Sequence, residues 1–192
     1  MTEYLKTATD TVTTVYNTAY KHVEEKLPEY FKNNFTRVKE FMAIMGQEVP
    51  TEPTEPKLNP AVTNLRVKLI EEELSELKEA LKNDDFVEVI DALADILYVT
   101  YGAGVAWGVD LQGAFDAVHL SNMSKMCKTQ NEAMDTVKWY KDNPDKGYPS
   151  PTWKKEGKYY VVNESTTGKV LKSINYKPVD LKPFIKKTNK KD

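Results

Sequence analysis

Between residues 61 and 82, apolar side chains return at Val67, Ile70, Leu74, Leu77 and Leu81, in alternating steps of 3 and 4. That period is helical and lays all five on one stripe. Asn83-Asp84-Asp85 then breaks the pattern and supplies a cap, and a second run continues from about Phe86 to Trp107. Gly108 suits a left-handed helix end. Two long adjacent helices joined by so short a connection commit the middle of the chain to a helical architecture.

The flanks are organised around this pair. Upstream, Asn34 reads as the N-cap of a short amphipathic helix over FTRVKEFMAIMG, ended by Gly46. Pro50, Pro53, Pro56 and Pro60 then make a stiff, polyproline-like connector. Downstream, Asp110 caps another helix over about Leu111–Met126. After Cys127 the character changes: Gly147, Pro149 and Pro151 mark loops, and TWKKEGKYYVVN with GKVLKSINYKPVDL reads as a small hairpin and an extended arm. Residues 1–33 carry Leu5, Val12, Val15, Tyr16, Ala19, Tyr20, Val23 and Leu27 at helical spacing, weakened by the threonines before Tyr16. The chain divides into an N-terminal extension over 1–33, helical or poorly ordered, a helical domain over 34–127, an arm over 128–185 and a solvated tail over 186–192.

At 192 residues, with 40% hydrophobic and 29% charged residues, the chain suits one domain plus appendages. A net charge of −2 excludes a global basic field for nucleic acid. The charge is unevenly placed: acids crowd between Glu71 and Asp95, and lysines fill the last forty residues. The single Cys127 excludes an intramolecular disulfide and fits a reducing compartment. The first residues have no apolar core of a secretory signal, and Ile96–Val109, at fourteen residues, is too short to span a bilayer. The expectation is a soluble, cytoplasmic protein with neither a membrane nor a nucleic-acid partner.

The acids are where chemistry is concentrated. Glu73 and Glu76 stand three apart on a row bordering the apolar stripe, with Glu72 one step further toward solvent. Glu88, Asp91 and Asp95 share a face of the next helix, and the two aspartates are set in VIDALADILYV, where nearly every neighbour is apolar. An ionised carboxylate in such surroundings is costly unless something pairs with it. Lys68, Lys78 and Lys82 lie on or near the outward face, so a divalent metal is the candidate partner. Mg²⁺ suits carboxylate oxygens at about 2.1 Å and keeps positions for water and phosphate. EEELSELKEALK alone is equally a solvated surface; two aspartates four apart in an apolar helix are harder to explain that way.

EEELSE followed by VEVIDALADILYVTYG resembles the signature of the MazG-like superfamily, which includes phosphoribosyl-ATP, dUTP and dCTP pyrophosphohydrolases. Glu72, Glu73 and Glu76 match its Glu-Glu-x-x-Glu motif, and Asp95 before Ile96-Leu97-Tyr98 matches its final aspartate. The acid expected three residues earlier is Ala92 here. Asp91 falls on a position often acidic in the family, and Glu88-x-x-Asp91 keeps the spacing in a shifted frame, so Glu88 is the second choice of ligand. AFDAVHLSNMSKM is similar to a segment of phosphoribosyl-ATP-pyrophosphohydrolase-like proteins of bacteria and phages, written Val-His-Arg-Ser-Asn-Met-Ser-Lys, with Leu120 in place of the arginine.

The resemblance implies an all-α, MazG-like helical bundle completed by oligomerisation, as homodimer or homotetramer, with a small C-terminal hairpin. It implies a nucleoside-triphosphate substrate cut to monophosphate and pyrophosphate. Mg²⁺, with Mn²⁺ as substitute, would be held by Glu73, Glu76, Asp91 and Asp95, with Glu72 orienting or deprotonating the water and His119, Asn122 and Lys125 on the substrate. Ile96–Val109 would line the interface. Lys169 and Lys172 read more simply as parts of a charged hairpin, and Trp107, Trp139 and Trp153 as packing residues. The rival readings are a phosphoribosyl-ATP pyrophosphohydrolase of histidine synthesis and a helical interaction module whose acids form a solvated face.

Overall fold

The structure is a computed structural model that describes residues 33–186. The extension read over residues 1–33, except Asn33, and the tail read over 186–192, except Lys186, lie outside the described residues. The chain forms two compact units that divide between Val109 and Asp110.

The first unit is three helices. α1 spans Asn34–Ile44, α2 Pro60–Lys82 and α3 Phe86–Ala106. Each begins on a side-chain cap. Asn33 Oδ1 accepts the Thr36 N–H at 2.8 Å, one residue before the expected cap. Asn59 precedes Pro60, whose missing N–H costs nothing in the first turn. Asp85 accepts from Val87 and Glu88, directly after Asp84 turns the chain at φ 55°. The three-residue connection Asn83–Asp85 folds α3 back along α2, and these two helices make the main contact of the unit.

α1 packs across the far end of α3: Val38 and Met42 bury against Val105, with Phe35, Val49, Tyr101 and Ala106 around them. The proline connector is pinned to the same end, where Thr54 N–H donates to the Trp107 carbonyl at 2.9 Å. Gly108 makes the close approach there. Its φ is 63°, and a Cβ would stand 2.3 Å from the Glu52 carbonyl oxygen. Gly102 to Val105, part of the stretch Ile96–Val109 expected at an interface between chains, is buried, with Val38 and Met42 of α1 against Gly102 and Val105.

By length and composition the whole of α3 is apolar enough to cross a membrane, which the stretch Ile96–Val109 alone is not. It nevertheless carries Glu88, Asp91 and Asp95 along its length. The stripe on α2 is less covered than its period predicts. Val67, Leu74 and Leu81 are exposed, whereas the buried residues of the helix are Arg66 and Ala80. On α3, Phe86, Val87, Ile90, Leu93 and Leu97 are all about half exposed or more.

The second unit contains α4 (Leu111–Met123), α5 (Gln130–Asp142) and an antiparallel hairpin of β1 (Pro151–Glu156) and β2 (Tyr159–Glu164), turned at Gly157. Asp110 caps α4 as expected, but the helix ends at Met123, three residues short, in a turn tied by Ser124. Leu171 N–H donates to the Val162 carbonyl, so residues after the hairpin extend its edge. Cys127, Ala133, Tyr140, Val162 and Leu171 form the core. α5 is a helix the sequence reading left among loops. Thr129 accepts the Glu132 N–H while Glu132 reaches back to the Lys128 N–H, a capping arrangement written in the sequence as Thr-x-x-Glu.

Candidate metal centre

In the register of α2 on α3, Arg66 lies against Gly102, with Nη1 3.4 Å from where a Cβ on that glycine would stand. Moving seven residues along each antiparallel helix, about 10.5 Å, brings Glu73 level with Asp95. Glu73 and Asp95 are both half-buried, while Glu72, Glu76, Glu88 and Asp91 are exposed.

Glu73 lies within the field of acids from both helices. The Glu73 carboxyl is held above its ordinary pKa first by burial, then by the negative charges of Glu76, Asp95, Glu72 and Asp91. Two helices therefore bring five of the acids singled out from sequence into one another's field; Glu88 is not among the charges acting on Glu73. The nearby ion pair is Lys68 with Glu72, at 3.2 Å and on the exposed side. None of the charges acting on Glu73 is a cation.

The expected burial of Asp91 and Asp95 is not what the single chain shows. Ile90, Leu93 and Leu97 are themselves exposed, so the apolar neighbours do not exclude water from the aspartates. Nor are the side chains closed around an ion: among the described residues, no three His, Cys, Asp or Glu side chains stand close enough to hold one. The donor chemistry nevertheless fits a hard divalent cation, since the group is all carboxylate and mutually repelling.

The predicted substrate contacts lie on the second unit. His119 and Asn122 are exposed near the end of α4, and Lys125 follows the helix, donating from Nζ to Asn122 Oδ1 at 2.8 Å. Their neighbours Ser121 and Ser124 are structural. Ser121 Oγ donates to the Lys177 carbonyl at 2.8 Å, and Ser124 Oγ accepts the Lys177 N–H at 2.9 Å.

Arg66 is the residue that sequence reasoning missed. It is 8% exposed, donates from Nη2 to Gln47 Oε1 at 2.7 Å, and leaves Nε with no partner among the described residues. Its signal is the seven-residue row Arg66, Glu73, Ala80, which marks the side of α2 turned to α3.

Comparison with known proteins bears on this site directly. A family model described as phosphoribosyl-ATP pyrophosphohydrolase matches residues 38–122, a span that contains all five acids. The chain is also similar to an uncharacterised protein of Acanthamoeba polyphaga mimivirus, 26% identical over 206 aligned residues, covering 62% of this chain and 81% of the viral protein. The mostly helical architecture with its small terminal hairpin agrees with the all-α MazG-like fold. Residues 38–122 thus match the phosphoribosyl-ATP pyrophosphohydrolase family model, part of the MazG-like superfamily, which indicates a pyrophosphohydrolase acting on phosphoanhydride bonds.

Proposed function

We propose that the chain is a Mg²⁺-dependent nucleoside-triphosphate pyrophosphohydrolase, converting an NTP or dNTP and water to the monophosphate and pyrophosphate. The observation that carries this reading is the gathering of Glu73 with Glu72, Glu76, Asp91 and Asp95 from two helices, with Lys68 engaged on the exposed side at Glu72. Such a group repels itself and repels a triphosphate, so it binds that substrate only when a divalent cation neutralises both.

Glu73, Glu76, Asp91 and Asp95 would hold Mg²⁺, or Mn²⁺ in its place. When bound, the ion supplies charge neutralisation and lowers the pKa of water in the site. Glu72 stands one residue outside this set, exposed and paired with Lys68, and takes the proton of the attacking water. The water oxygen bonds to the α-phosphorus as the bond to the α–β bridging oxygen breaks, and pyrophosphate leaves with that oxygen. Asn122 and Lys125, already joined by a hydrogen bond, contact the substrate, with His119 beside them on α4.

The same carboxylates serve a second substrate equally well. The matching family model takes its name from phosphoribosyl-ATP, which favours that nucleotide as the alternative. The active species is at least a dimer, in the cytoplasm. Support for association is the exposed apolar set Leu74, Leu81, Phe86, Ile90, Leu93 and Leu97 on α2 and α3, which the described residues leave uncovered. The test is pyrophosphate release from the common NTPs, dNTPs and phosphoribosyl-ATP, with Mg²⁺, with Mn²⁺ and with chelator. Turnover of none of them in the presence of metal rejects the reading.

A further inference from the structure

We infer that the second unit carries a polyphosphate-binding site built on Lys125 and Lys172, with Asn122 and Tyr176 positioning the two ammonium groups. The inference rests on the function proposed above for the identity of its ligand, and it adds to that function a residue, Lys172, from outside the helical domain.

Lys125 follows the last turn of α4, where the carbonyl end of a helix favours a cation. That field accounts for one lysine. Lys172 belongs to the segment after the hairpin and is brought alongside by the backbone: the Ser173 N–H donates to the Lys125 carbonyl at 3.0 Å. The buried Ser121 and its neighbour Ser124 fasten the following residues through Lys177. Tyr176 Oη meets Ser121 Oγ at 3.3 Å. Lys125 Nζ is steadied by Asn122 Oδ1 at 2.8 Å, and Lys172 Nζ lies 4.5 Å from the centre of the Tyr176 ring.

Neither lysine has a carboxylate within ion-pair distance among the described residues. Glu132, which reaches the same segment, is already engaged: Oε1 accepts the Ser173 hydroxyl and Oε2 the Lys128 N–H. Two lysines on backbone segments joined by a hydrogen bond, one ammonium resting on an amide oxygen and the other on a ring, leave their charge for an anion to neutralise. A chain of phosphates offers charge and several oxygens at once, which a single carboxylate does not.

The distribution of charge agrees. Over residues 33–109 there are fourteen acids and seven basic residues, whereas residues 110–186 hold thirteen lysines and nine acids. The grip on a polyanion has to come from the second group.

The experiment is isothermal titration of the full chain with sodium tripolyphosphate in chelator, so that no metal contributes. Lys125→Gln and Lys172→Gln should each weaken binding by about tenfold or more, the loss of one charge-assisted contact. Lys154→Gln, whose lysine already pairs with Glu156 at 2.6 Å, should change it less than about twofold. In turnover, Lys172→Gln should raise KM and leave kcat within about twofold, the pattern of lost ground-state binding. Glu73→Gln separates the two ideas, because it should stop turnover while metal-free tripolyphosphate binding persists. A wild-type chain that hydrolyses no nucleotide yet loses tripolyphosphate binding in both lysine variants sinks the enzyme reading and supports the site. No binding by the wild-type chain, unchanged binding in both variants, or an equal loss in Lys154→Gln overturns the site.

Discussion

The guanidinium of Arg66 stands against Gly102, with Nη1 3.4 Å from where a Cβ on that glycine would lie. Burial holds its pKa below the ordinary arginine value, and Nε has no partner among the described residues. A buried charge so poorly satisfied is expensive to keep. Arg66→Met, similar in length and apolar, should leave stability unchanged or raise it by roughly 1–4 kcal/mol. The urea midpoint measures this, and a loss above about 2 kcal/mol would show the guanidinium to be an essential part of the packing.

Gly102 and Gly108 should respond oppositely to alanine. At Gly102 the added methyl meets ordinary contact distances, and the helix gains up to about 1 kcal/mol of propensity. At Gly108 the new Cβ would collide with the Glu52 carbonyl at positive φ, which costs about 1–2 kcal/mol for the backbone alone, before the collision. Thermal melts of both variants, at equal protein concentration, test the contrast. Equal melting temperatures would contradict it.

The acid group should reveal itself by its response to metal. Mg²⁺ at a hundred times its Kd would add about 2.7 kcal/mol of stability through mass action. Glu76→Gln and Asp95→Asn should keep the fold, lose most of that increment and abolish turnover. Full activity in either variant removes that residue from the ligand set.

Association through α2 and α3 makes a separate prediction. Leu97→Glu, on the uncovered apolar face of α3, should shift sedimentation from dimer or larger to monomer, with the helical circular dichroism retained. A wild-type chain that sediments as a monomer at micromolar concentration defeats the proposal outright.

Glu132 gives the unit around α5 an acid limb. Burial works to raise its carboxyl, but the hydroxyl of Ser173, the Lys128 N–H, Asn175 and the Lys128 charge outweigh burial and hold it below 4.5. A depressed carboxyl stabilises the folded state fully above 4.5, and that contribution fades as pH falls through 4.5 toward the folded value. Urea midpoints from pH 7 to pH 3 should therefore drop more steeply for the wild type than for Glu132→Gln, which should be the weaker of the two at pH 7. Parallel curves would show that Glu132 titrates as it does in the unfolded chain.

The meeting of Glu73 with Asp95 was legible because helical period and a three-residue connection leave little freedom: once Asn83–Asp85 turns the chain, equal steps back along both helices find each other. Whether a stripe is covered is a different matter. The period of Leu74 and Leu81 identifies an apolar side but not what lies over it, and here their own chain does not cover them. Arg66 escaped notice because a charge in an amphipathic helix is ordinarily on its wet side, whereas here the guanidinium turns inward onto Gln47 and Gly102. α5 was hidden behind the glycines and prolines that follow it, although Ala133, Thr136 and Tyr140, all buried, repeat at helical spacing after the Thr129 cap.

The opposed charges of residues 33–109 and 110–186 reach beyond any single ligand. A molecule nearly neutral as a whole, yet negative in one part and positive in another, behaves as a large zwitterion. At low ionic strength both anion- and cation-exchange resins should retain it near neutral pH, and unlike ends of neighbouring molecules should attract although their net signs match.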